Sequence, residues 1–172
     1  MKDIRSFMGK TPKVEEDIYI DMTAVIIGDV ILKRGCSIWP QAVIRADTNS
    51  VFIEEGAAIL DRVIIEAPVS NPVFVGRRAI ISHGAILHGC KVCDGAIIGI
   101  GAIVLDGAVI AEGTVVAAGS IIPPRADIPR YSLVIGTPGK VIRPLTAEER
   151  EKYSAQVSEI AEKAKYYKTL FG

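Results

Sequence analysis

At 172 residues the chain is long enough to bury one sizeable core and too short for two ordinary domains, so a single domain over 1–172 is expected. Twenty basic residues balance twenty acidic ones, and aromatic residues make up 6% against a hydrophobic fraction of 49%. That balance speaks against electrostatic capture of nucleic acid or of an anionic membrane, and a composition rich in Ile, Val and Ala suits stacked strands.

In chain order, Met1 to Val14 mixes Lys2, Asp3, Arg5 and Lys10 with few apolar residues and has no signal-peptide core. No run approaches the ~18 apolar residues of a membrane span, so a cytoplasmic location is expected. An aliphatic residue then recurs every six positions at Ile26, Leu32, Ile38 and Ile44, again at Ile53, Ile59 and Ile65, and again from Ile80 through Ile86, Val92, Ile98, Val104, Ile110 and Val116 to Ile122. Small loops near Thr48-Asn49-Ser50 and from Pro68 to Pro72 separate the three blocks. In the last block a glycine column, Gly89, Gly95, Gly101, Gly107, Gly113 and Gly119, is followed each time by a small residue. Aliphatics facing inward, small residues at tight corners and glycines at the bends predict an all-β fold: a left-handed parallel β-helix of hexapeptide repeats over 12–135, with three short strands per coil.

Counting about six coils, the expected inward stack on one face is Ile26, Ile44, Ile65, Ile86, Val104 and Ile122, with coils spaced at roughly 4.8 Å. After Pro123-Pro124 the repeats fade, and Gly136-Thr137-Pro138-Gly139 marks an exit loop. Thr146 reads as the cap of a helix over 146–171, whose Tyr153, Val157, Ile160, Ala164 and Tyr167 recur at helical spacing and are expected to lie back along the solenoid.

The chain has only two histidines, His83 and His88, and neither occupies the inward column. Five residues of strand span about 16 Å, so one subunit can hardly bring both to a metal that requires bonds of about 2 Å. A shared site needs two chains, which closed threefold symmetry supplies. Glu66 and His88 are expected as neighbours on successive coils, with Arg45 a coil below and Asp47 and Asp61 on the same side. For Arg45 and Asp47 the plainer reading is an interface salt-bridge network. Cys90 and Cys93 form a C-x-x-C with no second pair, and together with Cys36 they read as repeat filling rather than a zinc or redox site.

Ile27-Gly28-Asp29-Val30, Ser37-Ile38-Trp39-Pro40, Val43-Ile44-Arg45-Ala46-Asp47, the run His83 to Cys90, and Gly136-Thr137-Pro138 followed by Ile142-Arg143-Pro144-Leu145 resemble the gamma-class carbonic anhydrases over nearly the whole chain. The resemblance implies a homotrimer with a metal, Zn2+ or Fe2+, at each subunit interface. It matches His88 to a ligand on one chain and His83 to the ligand donated by its neighbour. The family's third histidine falls on Glu66. Its asparagine and glutamine fall on Ala58 and Leu60, while Asp61 is retained; Asp61 and Arg45 are assigned to the catalytic surroundings.

Two readings of Glu66 stand side by side, as metal ligand or as partner of Arg45. The implied activity is hydration of carbon dioxide to bicarbonate, weakened by the changed ligand. The alternatives are a catalytically inactive trimeric scaffold or metal-binding homologue and, third, an acyltransferase built on the same repeat. A metal analysis followed by a hydration assay separates them.

Overall fold

The structure, a computed structural model, describes residues 2–171. Met1 and Gly172 of the expected 1–172 domain lie outside the described residues. The chain winds into a left-handed parallel β-helix of about seven turns, one more than the sequence count, followed by one helix. The extra turn comes from the N-terminal strands Asp3–Arg5 and Lys13–Val14, which pair in parallel with Val25–Leu32 although they lack the repeat.

Three faces result. The first stacks Asp3–Arg5, the leading half of Val25–Leu32, the leading half of Val43–Ile53, Ile64–Glu66, Ile86–His88, Ile103–Val104 and Ile121–Ile122. The trailing halves of the two long strands, with Lys13–Val14, Val73–Val75, Lys91–Val92, Val109–Ile110 and Asp127–Ile128, form the second. The third runs from Tyr19–Ile20 to Ser132–Gly136 and is closed by the one antiparallel neighbour, Gly139–Pro144.

Inward side chains on the first face are Ile26, Ile44, Ile65, Leu87, Val104 and Ile122, in register and with no exposed surface. This corrects the expected stack at one coil: Leu87, not Ile86, points inward. Among the inward positions Ile81, Leu87, Val92 and Ile98, the step from Leu87 to Val92 is five residues rather than six. The exact six-residue spacing of Ile80, Ile86 and Val92 therefore follows the outer surface for two positions and the core for the third. The alternation of strand side chains turns this one-residue correction into a change of side.

Ile80 is buried nonetheless, because the helix Ala147–Phe171 covers the outer surface of the third face. Tyr19, Trp39, Ile80, Ile97 and Val115 form a second apolar cluster with Val157 and Ala164 of the helix, and Trp39 packs 4.8 Å from the Tyr167 ring. The helix begins with a capping box: the Glu149 amide donates to Thr146 Oγ1 at 3.1 Å, and the Thr146 amide donates to Glu149 Oε2 at 2.9 Å. Both guanidinium arms of Arg143 reach the same carboxylate at 2.7 Å. Arg143, and then the Thr146 amide, hold the Glu149 carboxyl down at about 2.

A depressed folded-state pKa contributes stability that is present above the ordinary carboxylate range and is lost as pH falls toward the folded value. Helix docking should therefore loosen between about pH 4.5 and about pH 2. Glu149→Gln should remove that part of the acid sensitivity. Helical circular dichroism through an acid titration of both proteins checks this; superimposable curves would refute it.

Among the described residues no element covers the outer surface of the first face in this way. Its register column Val25, Val43, Ile64, Ile86, Ile103 and Ile121 forms an apolar stripe along the solenoid, on which Ile64 is 44% exposed.

Candidate metal centre

Beside that stripe the strand register lines up three polar side chains, one per coil. Arg45 pairs with Glu66, and Glu66 pairs with His88. Each directly follows an inward residue, Ile44, Ile65 or Leu87, so the pleat turns each outward. The corrected register matters for His88, since one position past Leu87 faces solvent whereas two positions past an inward residue would face the core.

Arg45 forks between two carboxylates. Its Nη1 donates to Asp47 Oδ2 at 2.8 Å, and its Nη2 lies 2.7 Å from Glu66 Oε1. Asp47, with Glu66 beyond it, raises the already high pKa of the guanidinium, so Arg45 is a fixed positive charge at this place.

His83 stands elsewhere, at the corner between the third face and the first. Its register neighbours across the corner are Asp61 and Ile100, because Gly84 N donates to Asp61 O at 2.8 Å and Gly101 N to His83 O at 3.0 Å. The left-handed corner column is Arg62, Gly84, Gly101 and Gly119, so His83 stands one residue before the turn. The His83 side chain is half exposed, its Nδ1 lies 2.8 Å from Asp61 Oδ2, and the two line an open hollow with Pro40, Gln41 and Arg62. The structure thus brings together Arg45, Asp47, Glu66 and His88 in one group and Asp61 with His83 in another. Among the described residues no three of His, Cys, Asp and Glu within the single chain gather closely enough to hold a metal.

Sequence reasoning did not single out Asp106 as a partner of His88. His88 Nδ1 and Asp106 Oδ2 are 2.6 Å apart in hydrogen-bond geometry. A carboxylate oxygen only accepts, so Nδ1 carries the proton, and in the neutral ring Nε2 is left as a lone-pair donor. A side chain in that state, next to the carboxylate of Glu66, has the chemistry of a metal ligand. The donor set fits a divalent cation if a third ligand arrives from another chain.

Ala58 and Leu60, which take the places of the family's amides, are almost fully buried in the cluster beneath the helix with Trp39, Val157 and Ala164. The apolar substitutions extend that core. Restoring Gln at Leu60 would bury an amide at a cost of about 1–3 kcal/mol, so Glu66→His alone is the clean probe of the site. The three cysteines are unpaired. Cys90 is buried, its thiol pushed up to about 12 by desolvation, so without a bound metal it is held as the neutral thiol. No helix of the described residues is long and apolar enough to cross a membrane.

The winding, the corner glycines and the helix-covered face define a hexapeptide-repeat β-helix protein. A crystal structure of a hexapeptide transferase family protein from Anaplasma phagocytophilum superposes with a TM-score of 0.92 at 30% identity, covering 96% of this chain and 98% of that one. "Probable carbonic anhydrase" of Methanocaldococcus jannaschii is 43% identical over 136 residues, 79% of this chain and 86% of that protein. "Gamma carbonic anhydrase 3, mitochondrial" of Arabidopsis thaliana is 37% identical over 174 aligned positions, which cover 98% of this chain and 67% of that protein. The chain belongs to the gamma-class carbonic anhydrase family. No family model matches it.

Proposed function

We propose that the protein is a homotrimer in which His83 of one subunit meets Glu66 and His88 of the next around a divalent cation, Zn2+ or Fe2+, and that it hydrates carbon dioxide slowly. One observation carries the reading: Glu66 and His88 sit side by side with His88 Nε2 free, while the only other histidine lies at a different corner of the same chain. The uncovered apolar stripe beside Glu66 gives the association its driving force, since burying such a column against a second copy removes it from water. When bound, the metal would supply Lewis acidity that brings the pKa of a coordinated water toward neutrality.

The chain's own residues set how far that goes. Glu66 brings a full negative charge where the family has a neutral imidazole, and that charge opposes acidification of the water. Asp61 holds His83 in place from the neighbouring side of the interface, and Arg45 offsets the charges of Glu66 and Asp47. The cytoplasm is the proposed compartment, in keeping with three unpaired cysteines.

The Arg45–Glu66 contact of 2.7 Å favours a second reading, a trimeric scaffold in which Glu66 serves the salt bridge and catalysis is lost. Metal content of anaerobically purified protein, measured with light scattering, separates the two. The first reading expects a particle of about 55 kDa, three chains of 18.4 kDa, with about one metal per chain. Glu66→Ala should then weaken metal binding, and Glu66→His should raise carbon dioxide hydration. Metal stoichiometry and affinity unchanged in Glu66→Ala would assign the carboxylate to Arg45. A metal-free trimer that binds coenzyme A would instead support an acyltransferase.

A further inference from the structure

We infer that Asp106 is the positioning residue of His88, fixing which ring nitrogen is presented to the subunit interface; its effect on metal affinity rests on the function proposed above, whereas its effect on the ring does not. The contact is built from three separate segments. Asp106 lies at the corner after Ile103–Val104, one coil beyond His88, and its Oδ2 meets His88 Nδ1 at 2.6 Å. Its other oxygen, Oδ1, accepts a hydrogen bond from Ser70 Oγ at 3.3 Å, from the loop between the middle and last repeat blocks. The residue after His88 completes the arrangement by having no side chain. A Cβ at Gly89 would come within 3.0 Å of Asp106 Oδ1 and 2.9 Å of Pro68 Cγ, and Gly89 itself has φ +53°. The backbone ties the two corners directly, Gly107 N donating to Gly89 O at 2.7 Å.

This geometry has one chemical consequence. With an acceptor fixed at Nδ1, the neutral imidazole holds its proton there, and Nε2 stays unprotonated on the opposite edge of the ring. Without Asp106 the ring is free to exchange tautomers and to rotate about its side-chain bonds. Both changes reduce the fraction of His88 ready to donate a lone pair. An ordinary surface ion pair would have no reason to engage the same nitrogen in every molecule.

The chain's two histidines make this readable by 15N NMR of the metal-free protein above the imidazole titration range, with His83→Gln assigning the signals. His88 should show the Nδ1–H tautomer in the wild type and a mixed or Nε2–H population in Asp106→Asn and Asp106→Ala. Zn2+ affinity of the same variants should fall about 10- to 100-fold, with the trimer retained. An Nε2–H tautomer in the wild type overturns the inference without any variant. So does an Asp106→Ala protein whose tautomer and Zn2+ affinity match the wild type while His88→Ala abolishes binding. If neither the wild type nor His88→Ala takes up Zn2+, the proposed function fails, and the tautomer measurement alone decides the role of Asp106.

Discussion

Replacing Val104 with Asp should leave no folded solenoid. Val104 has no exposed surface and sits in register between Leu87 on the coil before and Ile122 on the coil after. An aspartate there meets only aliphatic side chains, the strand backbone being already committed to its neighbours. The carboxylate must either stay charged without a partner or take up a proton, and either route costs several kcal/mol. Removing the buried valine side chain from its aliphatic surroundings costs about 1.5–3 kcal/mol more. Together these rival the whole stability of an ordinary domain, about 5–15 kcal/mol. Val104→Asp should accumulate as insoluble or unfolded chain, whereas Val104→Ile, which keeps the apolar character, should fold. Soluble Val104→Asp with an unchanged thermal midpoint would mean that the inward column is wrong.

His83→Ala and His88→Ala should each abolish metal binding, from opposite sides of the same interface. In the proposed site each removes one of three protein ligands, and because outer-shell changes alone cost 10- to 100-fold in affinity, losing a ligand should cost on the order of 100-fold or more. The His83 side chain is about half exposed and that of His88 about one third, so the variants should fold and assemble normally. Atomic absorption on the purified trimers reads the effect. Metal retained by His83→Ala at wild-type stoichiometry would show that the neighbour's histidine is not a ligand.

Much of this was legible in the sequence because a β-helix repeats its constraints. Each coil must present an aliphatic residue inward and turn at small or glycine corners, so Ile26, Ile44, Ile65, Val104 and Ile122 were identifiable by spacing. The failure at Ile86 has a physical origin. The third face is covered by the helix and the first carries an apolar outer stripe, so outward Ile80 and Ile86 are as aliphatic as inward Ile81 and Leu87, and composition cannot tell the sides apart. The five-residue step at Gly89 breaks the count without leaving a proline or an insertion to mark it. The capping box at Thr146 and Glu149 was readable because its signal is local.

The site was half legible. Glu66 and His88 fell together by counting coils, and the Arg45 contact was anticipated. Asp106 lies one regular coil of 18 residues beyond His88 and was not singled out, because a repeat count places residues in a column without showing which side chains in it touch. The burial of Ala58 and Leu60 was missed as well, since it is created by a helix that begins nearly ninety residues later in the chain.

The most direct test of a site shared between subunits is the metal content of mixed trimers made by co-refolding His83→Ala chains with His88→Ala chains. Either parent trimer should bind nothing, because every interface lacks one histidine. In any mixed trimer one of the three interfaces joins an intact His83 from a His88→Ala chain to an intact Glu66 and His88 from a His83→Ala chain. Metal should therefore return at about one ion per mixed trimer. Mixed trimers as empty as their parents would contradict the account, as would either parent binding metal at the wild-type level.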